Sequence, residues 1–213
     1  RWPVAALALA AVLTHMALIE TPPGQDLTDV LVERALAASH AKTPLRIVGG
    51  DTKRFYGRPV AGETLALAGH HGVLRYDPAE LVITPRGGTL LADVEALLAR
   101  HGQRLPFEPP SFGSLATLGG TVAAGLAGPA RVARGPVRDY VLGARLLTGD
   151  GRVLTCTPDN EHRDLFHGFP NSYGTLGYAL RVKARTAQAR RYVAGQHHRH
   201  AEPSAYFADN AQA

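Results

Sequence analysis

With one cysteine in 213 residues, Cys156, this chain can form no intramolecular disulfide and can build no thiolate-held zinc or iron–sulfur centre by itself. Nothing in it therefore demands an oxidising compartment. Charge is sparse and unclustered: 19% of residues are charged, and the formal net charge of +5 is spread along the chain, with some concentration between Arg181 and Arg199. A nucleic-acid surface needs a basic stripe or a recognisable motif, and neither is present, so nucleic acid is not an expected partner. Internal repeats and low-complexity tracts are missing too. So are the two best-known phosphate motifs. No Gly-Lys-Ser/Thr follows a glycine cluster, and no G-x-G-x-x-G precedes an acidic residue at the required distance.

What the chain does have is ordinary globular material: 45% hydrophobic residues, 23 glycines and 15 prolines. That suits one domain of about 150 residues with extensions and many loops. Residues 1–26 form an N-terminal extension whose apolar run, residues 3–19, is followed by the breaker TPPG. The run falls near the lower length limit for a membrane span and also fits a signal-peptide core, although His15 interrupts it and no A-x-A site follows. Three readings fit equally: a non-native extension, a packed helix, or an export or anchor segment. The missing initiator Met points to a fragment or a miscalled start.

From Leu27 the pattern becomes regular. Leu27, Val30, Leu31, Ala35 and Ala38 recur at helical spacing with Thr28 as N-cap, and Pro44 ends the helix. Leu45 to Val48 then reads as a buried strand entering GGDTKRFYG. A second strand, Leu81 to Thr84, runs through PRGGT into a helix from Leu90 to His101, with Leu90, Leu91, Val94, Leu97 and Leu98 as its apolar stripe and Gly102 just past its end. The first half is thus β-α-β in style. After the linker LPFEPPSFG and the glycine-rich TLGGTVAAGLAGP, YVLGARLLT and RVLTCT flank a Gly-Asp-Gly turn, which predicts a hairpin. Strict alternation places Tyr178, Leu180, Val182 and Ala184 on the inner face of a last strand.

Two glycine clusters carry the chemistry: Gly49-Gly50-Asp51-Thr52-Lys53 and Thr117-Leu118-Gly119-Gly120-Thr121. Paired glycines let backbone N–H groups turn toward one point and let an anion approach with no Cβ in the way, while a following helix N-terminus adds partial positive charge. One such loop is weak evidence. Two of them suit a pyrophosphate clamped between subdomains.

The segments RIVGGDTKRFYGRP, YDPAELVITPRGGTLLADVEALLARHGQRLPFEPP, ATLGGTVAAGLAGP and GPVRDYVLGARLL, in that order, resemble the FAD-binding subunits of bacterial glycolate oxidases. The resemblance runs from about Leu27 to Leu154. Those subunits belong to the wider vanillyl-alcohol oxidase and p-cresol methylhydroxylase (PCMH)-type FAD-binding family. The resemblance implies an α+β fold over residues 27–186, with FAD between two α+β subdomains, about 27–105 and 106–186. Residues 187–213 would begin a truncated C-terminal region. It also implies that Gly49, Gly50, Asp51, Thr52 and Lys53, together with Gly113, Thr117, Leu118, Gly119, Gly120 and Gly125, hold the FAD pyrophosphate. Gly174, Thr175, Leu176 and Gly177 would lie near the adenine end. Relatives with flavin linked through the first loop use His where this chain has Asp51, so FAD is expected to be non-covalent. After Leu154 the text TCTPDNEHRDLFHGFPNSYGTLGYALRV looks more like single-chain FAD-linked oxidases, including the sterol Δ24-reductase-like group.

The implied function is an FAD-dependent oxidoreductase acting on a 2-hydroxy acid such as glycolate, with partner chains that carry flavin and iron–sulfur centres. The alternatives are a fragment of a single-chain oxidase or reductase and a non-catalytic FAD-binding module. The implied location is cytoplasmic, with a peripheral position at the inner membrane as the other option; membrane association is left open. No catalytic residue or metal ligand is identified. His162, Asp164 and His167 read as a solvated loop or helix start, His197, His198 and His200 as an exposed segment, and Cys156 as a small buried hydrophobe. Positioning a donor carbon against the flavin is worth about 7–11 kcal/mol, and a substrate region is barely begun after residue 187. The purified chain without partners is therefore expected not to oxidise glycolate, and steady turnover with an artificial acceptor would contradict this.

Overall fold

The computed structural model describes residues 24–190 and 200–210. The apolar run at residues 3–19 and the pair His197-His198 lie outside them. In chain order the elements are α1 (Thr28–Ala41), β1 (Leu45–Val48), β2 (Glu63–Ala66), β3 (Val73–Asp77), β4 (Val82–Pro85), α2 (Leu91–Ala99) and β5 (Gln103–Arg104). There follow α3 (Leu118–Ala124), α4 (Arg131–Arg134), a 3-10 turn (Val137–Tyr140), β6 (Val141–Leu147), β7 (Val153–Cys156), α5 (Arg163–Gly168), β8 (Tyr178–Arg185), β9 (Ala187–Gln188) and α6 (Pro203–Asn210).

Alternation decides the centre. In β8, Tyr178, Leu180, Val182 and Ala184 are buried, as the sequence pattern predicts, and this strand sits in the middle of an antiparallel sheet of order β3-β4-β8-β6-β7. The predicted hairpin is β6–β7, closed by the Thr148 N–H donating to the Arg152 carbonyl. Helices α2 and α3 cover the inner face, with Leu91, Val94, Leu97, Leu98, Leu118 and Val122 packed in the same core as Ile83, Leu146 and Val182.

The first half differs from the expected β-α-β unit. β1 pairs in parallel with β2, a strand too short and too exposed to read in sequence, since Leu65 is its one buried residue. β4, by contrast, joins the five-stranded sheet. The change from one of these sheets to the other thus falls between Ala66 and Val73. A second core joins the two: Leu31 and Ala35 of α1 and Leu65 of β2 pack on Leu147, Tyr178 and Leu180. Each fully buried leucine there contributes about 1.5–3 kcal/mol. The start of α1 also differs. Leu27, not Thr28, is the N-cap, and the Asp26 Oδ1 accepts the Thr28 N–H at 2.9 Å. α2 begins one residue later than expected and ends at Ala99, with Gly102 at φ 63° in the turn beyond.

His70 ties the two parts together. It is buried; its Nδ1 accepts the Leu27 N–H at 3.0 Å and its Nε2 donates to the Leu180 carbonyl at 2.9 Å, so the ring is held as the neutral Nε2–H tautomer. Burial pushes its pKa below the ordinary 6.5, an effect that outweighs the nearby Asp26 carboxylate. The unfolded chain protonates this ring more readily than the folded one, so stability falls as pH drops from about 7 through 6.5 toward the lowered folded value. Replacing His70 with Phe strands the Leu27 N–H, at a cost of about 1–3 kcal/mol, while the Leu180 carbonyl keeps the Gly87 N–H. The expected outcome is a lower melting temperature at pH 7 and a shallower decline between pH 7 and 5 than in the wild type; an unchanged slope would show that His70 does not carry this dependence.

Candidate functional site

A cleft of about 750 Å³ opens between the loop after β1 and the start of α3, within the range of roughly 300–1,000 Å³ typical of cofactor pockets. One bank is residues 46–54 with residues 56–60. The other combines Thr117, Gly119 and Gly120 with residues 172–175 and 177–179. The two glycine clusters therefore meet, although they lie far apart in sequence. The meeting is a backbone contact: a Cβ on Gly50 would stand 1.5 Å from the Leu115 carbonyl oxygen, and one on Gly49 would stand 2.6 Å from the Thr117 Oγ1.

Of the residues singled out in the sequence, Gly49, Gly50, Asp51, Thr52, Lys53, Thr117, Gly119, Gly120, Gly174, Thr175 and Gly177 line this cleft. Four do not. Leu118 is fully buried in the main core, because the first turn of α3 faces the sheet. Gly125 ends α3 at φ 65° with its α-carbon against Asn171, a helix-terminating role. Gly113, at φ 125°, lies behind the first loop beside the Thr52 methyl group. Leu176 is 41% exposed and packs beside Gly168.

The donor pattern corrects a further expectation. The first N–H groups of α3 do not face the cleft as free donors: Leu118 N–H bonds the Thr89 carbonyl at 2.9 Å, Gly119 N–H the Gly87 carbonyl at 2.8 Å, and Gly120 N–H the Thr117 hydroxyl at 3.2 Å. The ATLGG loop is spent on holding α3 to the sheet. In the first loop the N–H groups of residues 49–53 have no hydrogen-bond partner among the described residues. Asp51 adopts φ 55°, a left-handed conformation that Asp tolerates, and its carboxylate pairs with Arg54 and, at 3.8 Å, with Arg46.

Charge and aromatic character complete the lining. Arg46, Lys53, Arg54 and Arg58 outnumber Asp51, so the bank is cationic. Burial pushes the Lys53 ammonium pKa below its ordinary value, and its Nζ lies 5.8 Å from the centre of the Phe112 ring. Tyr56 and Tyr173, one from each bank, stack at 5.7 Å with 21° between the rings. Burial, with a hydrogen bond to Tyr56, raises the Tyr173 hydroxyl pKa. Sequence reasoning missed the tyrosines and the arginines, because nothing local says that they meet. It also passed over Gly87, which lines the cleft, although the pair in PRGGT was a visible signal. Cys156 is buried as expected, and burial raises its thiol pKa. No cluster of metal-binding side chains exists among the described residues; His162 lies near Glu161 and His167 rests edge-on to Phe166.

Comparison with known proteins agrees with this geometry. A solved structure of alkyldihydroxyacetonephosphate synthase superposes with a TM-score of 0.63 at 21% identity over 80% of this chain and 34% of that one, which shows a shared fold. The glycolate oxidase subunit GlcE of Escherichia coli (strain K12) is 46% identical over 164 residues, 75% of this chain and 47% of that protein. The mitochondrial D-2-hydroxyglutarate dehydrogenase of Bos taurus is 34% identical over 156 residues, 70% of this chain and 27% of its own length. The Delta(24)-sterol reductase of Homo sapiens is 29% identical over 121 residues, 57% of this chain and 23% of its own. The chain thus spans about half the length of the glycolate oxidase subunit and about a quarter of the other two. The family described as FAD binding domain matches residues 28–157, and the chain belongs to that family.

Proposed function

We propose that this chain, with residues 27–186 as its FAD-binding unit, is part of a flavin-dependent oxidoreductase that oxidises a 2-hydroxy acid such as glycolate in a multi-chain enzyme. The observation that carries the reading is the convergence of both glycine loops on one cationic cleft. Higher identity to the glycolate oxidase subunit than to the sterol reductase favours the hydroxy-acid reading over the single-chain alternative.

The residues present fit FAD. Gly120 is the clearest case. A Cβ there would meet just the Thr117 Oγ1, at 3.1 Å, a close contact with one side-chain oxygen that would have to give by a few tenths of an ångström, and its φ is not positive, so no backbone strain demands glycine. The space a side chain would take belongs to the cleft. The unpartnered N–H groups of residues 49–53, with Arg46, Lys53 and Arg58, would hold the anionic pyrophosphate. Bound FAD supplies a two-electron acceptor for a hydride from the hydroxyl-bearing carbon, and the protein's part is to bind, orient and exclude water. Onward electron transfer through iron–sulfur centres falls outside these residues, because their single thiol is buried and cannot hold a cluster.

Two measurements test this. The purified chain is expected to be yellow, and since no histidine or cysteine among the described residues lines the cleft and Asp51 stands in the first loop tied to Arg46 and Arg54, the flavin is expected to be held without a covalent bond. Acid precipitation should release the colour to the supernatant; colour in the pellet contradicts non-covalent binding, and a colourless chain that takes up no FAD contradicts the proposed function. Gly120→Val should weaken FAD binding tenfold or more, about 1.4 kcal/mol, with the apo melting temperature little changed. Gly87→Ala is the contrast, because its Cβ would stand 1.9 Å from the Ala179 carbonyl oxygen and should destabilise apo and loaded protein alike. Retention of the full FAD-induced rise in melting temperature by Gly120→Val would remove Gly120 from the site.

A further inference from the structure

The five-stranded sheet has a second face, turned away from α2 and α3. The alternation that buries Leu180, Val182 and Ala184 sends Arg181, Lys183 and Arg185 to it, and the register sets Arg181 directly across from Arg145. Like charges opposed in a ladder repel, and the usual remedy is an acid on the neighbouring strand. Here there is none: Arg145, Arg181, Lys183 and Arg185 have no ion-pair partner among the described residues, in contrast to Arg34, Arg46 and Arg152.

Beside these cations lies a hollow of about 580 Å³. It exists because Gly143 occupies the position opposite Lys183 and presents no side chain there. Packing does not demand that glycine, since a Cβ would come no nearer than 3.5 Å to the Cys156 carbonyl oxygen. The hollow is lined in part by Val82 and Leu142, next to Leu74, which is 42% exposed, with Asp77 and Glu80 also in the lining.

We propose that this face docks a carboxylate-rich segment of a partner protein, whose acidic side chains neutralise Arg145, Arg181 and Lys183 while an apolar side chain fills the hollow over Gly143. Charge complementarity fixes the sign of the partner. The apolar floor of Val82 and Leu142 favours a peptide, which can bring an apolar side chain beside its carboxylates, over a nucleic acid, whose backbone is anionic throughout. The inference rests on the multi-chain reading for the existence of a partner, and not on FAD.

The test uses the full chain, isotope-labelled for amide NMR, with a ten-residue polyglutamate peptide as probe and a ten-nucleotide oligothymidine as competitor. Peptide-induced shifts are expected on β8, β6 and the rim of the hollow, with binding lost as salt rises to about 0.5 M. Lys183→Glu and Arg185→Glu, both at exposed positions and so compatible with folding, and the double variant Arg181→Glu/Lys183→Glu should each keep the amide spectrum outside the face and weaken the peptide at least several-fold. Shifts centred on Arg46, Lys53 and Arg58 instead, or equal affinity for the charge-reversed variants, overturn the assignment of the face. Tighter binding of the oligonucleotide overturns the class of partner. FAD affinity measured on the same samples reports separately on the proposed function, because none of the substituted residues lines the cofactor cleft.

Discussion

The arrangement depends on how closely backbones approach at Gly87. Its N–H bonds the Leu180 carbonyl at 2.8 Å and its carbonyl receives the Gly119 N–H at 2.8 Å, so one residue joins the central strand to the first turn of α3. The next residue, Gly88, donates to the His70 carbonyl at 3.0 Å, and His70 in turn holds the entry to α1. A Cβ at Gly87, Gly88 or Gly119 would collide with a backbone carbonyl oxygen at 2.7 Å or less. Any side chain there would part the helix from the sheet and misplace one bank of the cleft.

This explains why the two glycine loops do different work. The ATLGG loop looks in sequence like an anion cradle, yet its early N–H groups are consumed in attaching α3, and what it gives the cleft is room at Gly120. The GGDTK loop is pressed at Gly50 against the Leu115 carbonyl, keeps its N–H groups without a protein partner among the described residues, and brings the cations. One bank supplies space and the other supplies charge. The Tyr56–Tyr173 stack joins them across the opening.

The two faces of the five-stranded sheet follow from one alternation. The inner face of β8 builds both hydrophobic cores, since Val182 and Ala184 pack with α2 and α3 while Tyr178 and Leu180 pack with α1. The outer face inherits what remains, a row of cations that the fold leaves uncompensated. Core formation thus decides where charge accumulates, and a register shift of one residue would exchange the two faces.

The sequence by itself determined the elements with strong local signals: α1 and α2 from their apolar stripes, the β6–β7 hairpin from its Gly-Asp-Gly turn, and β8 from strict alternation. It also determined the membership of the cleft at its glycine clusters, because paired glycines after a strand mark close approach whatever they approach. Tertiary structure alone decided three things. It paired β1 with the short strand β2 and gave β4 to the other sheet, since pairing is a long-range choice that a four-residue segment does not encode. It turned Leu118 into core and Gly125 into a helix end, because position within a helical turn, not residue type, sets which way each faces. And it brought Tyr56 to Tyr173 and Arg145 to Arg181, contacts between distant segments that exist once the sheet has fixed its register.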